Sequence, residues 1–238
     1  ILDDLRVYAP DRAGRYHETR FSDLVAFDQR PMAHHQFVLP LSIERAGPVV
    51  IYFRLATHST SRLEAQLIRR ETFLAKQGAE YTVLGLFFGG LGTIFLINSL
   101  YSFWTRDRIF LRYAAAVGAY FIVAGGLSGW LAEFVFPDSP RIVDALPQVG
   151  FLLLNGFNAL FIAHILNARE TAPRLFLAWR GMAALNFLCL LSIPFDRYID
   201  IIGPVVAAHT VLMCTGVVFV RRVWNTLHGQ DILDIETI

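Results

Sequence analysis

Charge is what this chain has least of where it is most hydrophobic. Charged residues make up 17% of it, against about a quarter in ordinary soluble domains, while 55% is apolar, against about 45–50%. Cysteine is nearly absent too: Cys189 and Cys214 both sit in apolar runs, so no disulfide framework holds the polar part and the thiols read as small hydrophobes. No glycine-rich phosphate loop, zinc motif, nucleophile elbow or kinase signature occurs, which leaves catalysis and cofactor binding without residues to carry them. The bases form no stripe free of hydrophobic runs, so a nucleic-acid surface is not expected. No carboxylate falls in the middle of a long apolar run, which argues against cation-coupled transport and against intramembrane proteolysis by paired aspartates. The chain opens without Met or a leader and reads as a piece of a longer one.

What is present divides in two. From Ile1 to about Arg70 the hydrophobic period is two: Leu5 and Val7, then Phe37, Leu39, Leu41 and Ile43, then Val49, Ile51, Phe53 and Leu55, then Leu63, Ala65 and Leu67. Pro10-Asp11 with Gly14, Arg30-Pro31 and Ala46-Gly47-Pro48 mark turns between them. The pattern predicts four or five antiparallel strands over 1–70, about half a β-sandwich, with a joint over 71–80. Tyr52 and Arg54 are the candidate ligand contacts on this part, although a solvated strand face explains them as well. His34 and His35, with His17 and His58, raise a metal site, but adjacent histidines on a strand point to opposite faces, so none is expected.

Over 81–224 five apolar runs follow, at about 81–104, 110–136, 143–166, 175–195 and 201–220, each long enough to cross a hydrocarbon layer of roughly 30 Å as a helix. The links after the first, third and fifth runs hold Arg106, Arg108, Arg112, Arg169, Arg174, Arg180, Arg221 and Arg222. The other two links hold Arg141 and Arg197. That bias predicts the β part outside and the carboxyl end inside, with 225–238 a cytoplasmic tail or truncated loop. Gly85, Gly89 and Gly92, and again Gly125 and Gly129, recur at helical spacing and suit close packing between helices, or between copies. Asn98, Asn155, Asn158, Asn186 and His209 are polar groups inside the runs, suited to interhelical hydrogen bonds or to lining a small polar cavity.

The basic turn Thr105-Arg106-Asp107-Arg108-Ile109-Phe110-Leu111-Arg112-Tyr113 and the strand-like Phe37-Val38-Leu39-Pro40-Leu41 and Ile51-Tyr52-Phe53-Arg54 resemble the bacterial seven-transmembrane receptors with diverse intracellular signalling modules. Gly126 to Gly129, Phe136 to Pro140 and Ala172 to Leu175 extend the likeness. The resemblance implies a periplasmic jelly-roll domain, similar to carbohydrate-binding modules, ahead of a helical bundle in the bacterial inner membrane. It further implies a small periplasmic ligand, carbohydrate among the candidates, a cytoplasmic kinase or cyclase module outside these residues, and a homodimer. Five runs stand here where that family has seven spans. A small-molecule carrier or channel domain, and a purely structural membrane anchor, are the rival readings.

Overall fold

The computed structural model describes residues 4–11, 14–22, 27–32, 34–42, 47–56 and 65–235, with the side chains of residues 28, 222–224 and 226–235 set aside. It begins with a small antiparallel sheet and continues as long helices. Strand β1 (Asp4–Pro10) is central, with β2 (Tyr16–Phe21) on one edge and β3 (Tyr52–Ala56) on the other. Asp11 closes the β1–β2 hairpin: its amide donates to the Arg15 carbonyl at 2.8 Å, and its carboxylate accepts the Arg15 amide at 2.8 Å. Leu5 pairs with Phe21 and Leu55, and Val7 with Thr19 and Phe53, so the strand period puts Leu5, Val7 and Phe21 on one buried face. Phe37, Leu39, Ile51 and Leu55 pack onto it.

Three strands stand among the described residues where the pattern predicts four or five. Residues 37–42 alternate as expected, and Phe37 and Leu39 reach the core, but they form no ladder; Pro40 has no N–H to give one. Ile43, Leu63 and His58 lie outside the described residues. Leu67, expected to face a core, is 77% exposed in an irregular stretch. The joint over 71–80 is helical, because helix α1 (Arg70–Thr105) starts three turns ahead of the apolar run, with Glu71 against its positive amino end.

Helix α2 (Arg108–Leu127) stops earlier than the apolar run to 136 suggests. The chain turns at Gly129, at φ 75°, before the short α3 (Trp130–Phe134). Helix α4 (Pro140–Ile165) contains Pro147. A single turn, α5 (Ala168–Thr171), leads to α6 (Pro173–Cys189), which tightens to 3-10 geometry over Leu190–Phe195 where Pro194 falls. Helix α7 (Tyr198–Ile235) completes the chain. Among the described residues, five helical stretches are long and apolar enough to cross a membrane: Arg70–Thr105, Arg108–Leu127, Pro140–Ile165, Pro173–Phe195 and Tyr198–Arg221.

The chain falls into two compact units, Ile1–Gly89 with Phe121–Gln148, and Gly90–Tyr120 with Val149–Ile238. The second is built around Trp179, fully buried against Ala159, Ala163 and Ala183, with Phe187, Leu212 and Met213 around it. Small residues let these helices close on one large ring. The first unit holds the sheet, the start of α1 and the α2–α3–α4 turns, and carries the site described next.

Candidate functional site

The first unit presents two surfaces with chemistry. One is the outer face of the sheet. Strand register puts Arg6, Tyr8, Glu18, Arg20, Tyr52 and Arg54 together there, opposite the buried Leu5 and Val7. Tyr16 extends the face: its ring lies 5.5 Å from that of Tyr52, and its hydroxyl donates to the Val50 carbonyl at 3.2 Å. Asp4 accepts from Arg6 at 2.9 Å and from Arg20 at 2.6 Å, and the Arg6 bond leads in holding its carboxyl below the ordinary aspartate range. Both candidate ligand contacts, Tyr52 and Arg54, are exposed on this face among aromatic rings and paired charges.

The other surface lies where the segment after β2 meets the helix ends. Residues 34–36 form a bend, not a strand, so the rule of opposite faces does not apply to His34 and His35. Their rings lie 4.2 Å apart. Phe73 and Tyr81 of α1 press on the His34 ring at 5.3 and 5.7 Å, and Tyr81 stands edge-on to His35 at 5.4 Å. The Tyr81 hydroxyl donates to both carboxylate oxygens of Glu133 on α3, 2.8 Å each. Gly129 makes room for the bend: a β-carbon there would stand 2.6 Å from the His35 carbonyl oxygen, and φ 75° is a conformation side chains resist. Farther along, the Phe27 amide donates to the Pro137 carbonyl at 3.1 Å.

Beside this junction is a cavity of about 760 Å³. Phe27, Phe37, Val83, Leu84, Phe136 and Pro147 give it apolar walls; Arg30, His35, Gln36, Glu80, Ser128 and Asp144 give it polar ones. Its volume falls within the roughly 300–1,000 Å³ typical of small-molecule sites. The guanidinium of Arg30 lies over the Phe27 and Phe37 rings at 5.0 and 4.6 Å and reaches the His34 and His35 carbonyls at 3.3 and 3.4 Å, which fixes the bend from its other side. Burial first, then the neighbouring His34, hold the His35 imidazole below its usual range, with Glu80 and Glu133 pulling the other way.

The remaining residues singled out in the sequence are spread through the helices. A β-carbon at Gly85, Gly89 or Gly92 would meet nothing within 4 Å, whereas at Gly125 it would meet the Leu131 side chain at 2.7 Å. Asn98, Asn155 and Asn186 donate to the carbonyl four residues back in their own helices, at 2.8, 2.9 and 2.9 Å. That is local back-bonding within each helix. Asn158 is half-buried on α4, and His209 is buried edge-on to Trp179 at 6.2 Å. Arg106, Asp107 and Arg108 make the α1–α2 turn: Arg106 takes φ 56°, and the Asp107 carboxylate accepts the Ile109 amide at 2.9 Å as the cap of α2. Sequence reasoning did not single out Glu80, Tyr81 as a hydroxyl donor, or Glu133. Their only early signal is polarity at the edge of an apolar run.

Comparison with known proteins agrees with this layout. Residues 1–69 match the family model described as 7TMR-DISM extracellular 2, and residues 80–231 match the one described as 7TM diverse intracellular signalling. No curated protein and no solved structure matches the chain. A β segment of the first kind leading into five long apolar helices of the second is a multi-pass membrane protein of receptor type, and the chain belongs to the 7TM diverse intracellular signalling family.

Proposed function

We propose that the chain senses a small ligand on the periplasmic side of the bacterial inner membrane and passes the event through α1 to a cytoplasmic signalling module. The observation that carries this reading is the junction. The bend that follows β2 is held by α1 through Phe73 and Tyr81 and by the α2–α3 turn through Gly129, so a shift of the sheet segment acts directly on helix ends. Ligand binding drives such a change only by stabilising one arrangement over another. The arginines at 106, 108, 112, 169, 174, 180, 221 and 222, against 141 and 197, support a cytoplasmic carboxyl end. The sheet's outer face is the proposed ligand surface: Tyr8, Tyr16 and Tyr52 offer flat rings and Arg54 offers donors, a combination suited to a carbohydrate. The stretch of α1 holding Gly85, Gly89 and Gly92 has room for a second copy to approach. No residue of the chain is given a catalytic role.

The test uses the full chain in lipid nanodiscs against a panel of mono- and oligosaccharides. A bound sugar should raise the unfolding temperature, lose affinity in Tyr52→Ala and Arg54→Ala, and alter Trp130 fluorescence, because Trp130 stacks on Phe88 of α1 at 4.8 Å. Uptake of the same solutes into liposomes, abolished by Asn155→Ala and Asn158→Ala, would instead establish the carrier reading. Sugar binding that leaves Trp130 unchanged in every case would leave a binding anchor and overturn the coupling.

A further inference from the structure

The stacked histidines at the bend leave polar atoms that the fold does not use. Among the described residues Nε2 of His34 and Nδ1 of His35 have no hydrogen-bond partner, and the two side chains are 1% and 6% exposed. Such atoms are expensive to bury unsatisfied, and an isolated pair of them on adjacent residues calls for a reason. Across from them stands Glu80 of α1. Its Oε2 lies 3.9 Å from Nε2 of His34 and 4.0 Å from Nε2 of His35, too far for a hydrogen bond, and one ligand atom from each of the three residues falls within 4.8 Å of the others.

We infer that His34, His35 and Glu80 bind one divalent first-row transition ion of the zinc class, which bridges the bend and α1. Ions of this class sit about 2.0–2.2 Å from imidazole nitrogen and carboxylate oxygen, so two ligand atoms on one tetrahedral ion stand roughly 3.3–3.6 Å apart. The Glu80 gaps of 3.9 and 4.0 Å exceed this by a few tenths of an ångström, which rotation of the exposed Glu80 side chain closes. Two imidazoles and a single carboxylate are a borderline donor set that suits zinc, nickel or copper, whereas magnesium and calcium require a shell of oxygens. His35 and Glu80 both line the 760 Å³ cavity, which gives the ion a way in and a side from which a fourth ligand arrives.

One contact must change for the ion to bind. Nδ1 of His34 accepts the Gln36 amide at 3.0 Å, which puts the proton of the neutral ring on Nε2. Ligation through Nε2 moves that proton to Nδ1, and the Gln36 amide loses its acceptor. His35 needs no such exchange, since its Nδ1 is without a partner and takes the proton freely. The site therefore carries a local signature: metal binding should loosen the Gln36 amide while fixing both rings.

The experiment titrates the metal-free full chain, in detergent micelles, with Zn²⁺ by calorimetry. One ion per chain at micromolar or tighter affinity is expected, with Ni²⁺ and Cu²⁺ competing and Mg²⁺ and Ca²⁺ not. His35→Ala and Glu80→Gln should each weaken binding by on the order of tenfold or more. His17→Ala, which removes an exposed imidazole held by Asp11 at 3.0 Å, should leave it unchanged. Glu80 is 44% exposed, so Glu80→Gln keeps the fold even where a histidine variant does not. Hydrogen exchange at the Gln36 amide should speed up on Zn²⁺ addition. Absence of saturable one-to-one binding overturns the proposal. So does equal binding by Glu80→Gln, or a Gln36 amide that does not respond.

Discussion

Gly85 and Gly92 of α1 and three glycines farther along, Gly126, Gly129 and Gly156, are the same residue in opposite surroundings. At Gly85 and Gly92 a β-carbon would enter empty space; at Gly126, Gly129 and Gly156 it would strike the Pro147 ring at 2.8 Å, the His35 carbonyl at 2.6 Å and the Phe187 ring at 2.6 Å. Burial follows the same line. Phe88 is the buried residue of α1, with 6% of its apolar window inside the fold, against 22% for the windows in 108–127, 140–165 and 173–195. A glycine pattern in an apolar helix therefore says that something small is permitted, and leaves open whether the neighbour is in the same chain. Gly126, Gly129 and Gly156 are explained by this fold, whereas at Gly85 and Gly92, as at Gly181 and Gly203 farther on, no neighbour among the described residues requires glycine.

Substitutions can break that comparison. Gly129→Ala should do most harm, about 3–5 kcal/mol of unfolding free energy in mixed micelles, because the strain of a left-handed φ and a backbone clash add. Gly156→Ala should cost about 1–3 kcal/mol, since the Phe187 ring can swing aside where a carbonyl cannot. Tyr81→Phe should cost about 1 kcal/mol, because the half-buried Glu133 carboxylate regains water when it loses its donor. Gly85→Ala should be neutral or stabilising by up to about 1 kcal/mol through helix propensity, and a loss larger than that of Gly156→Ala would erase the distinction. The smallest effect is electrostatic. Asp4 titrates below its ordinary value of 3.8 because Arg6 binds its charged form. The stability this contributes is present above that value and is lost as pH falls through the depressed one. Carboxyl NMR should find a low midpoint that Arg6→Gln brings back up.

The helices were legible because some twenty residues without charge have one solvent in which they are at ease. Their ends were not. Residues 110–136 read as one run, yet Gly129 turns the chain inside it, and the run at 81 hid three polar helical turns before it. In the sheet, β2 escaped notice because its core face is His17, Thr19 and Phe21, with one apolar residue in three. At the junction the error was of premise. Alternation separates His34 from His35 only in an extended strand, and the bend stacks them instead. Glu80 and Glu133 are distant along the chain, and nothing local in the sequence says that one meets the histidines and the other the Tyr81 hydroxyl. The family resemblance carries order and class, whereas these contacts are set only by the tertiary fold.

Pro147 has a mechanical consequence. It cannot donate to the Val143 carbonyl, so α4 has a missing rung at the height where Val143, Asp144 and Pro147 face the cavity. It also meets Gly126, where α2 comes near enough that a single methyl would not fit. The contact point of two helices and the weakest link in the spine of one of them thus coincide. The ladder of α4 therefore resists bending least at the height where the cavity touches it.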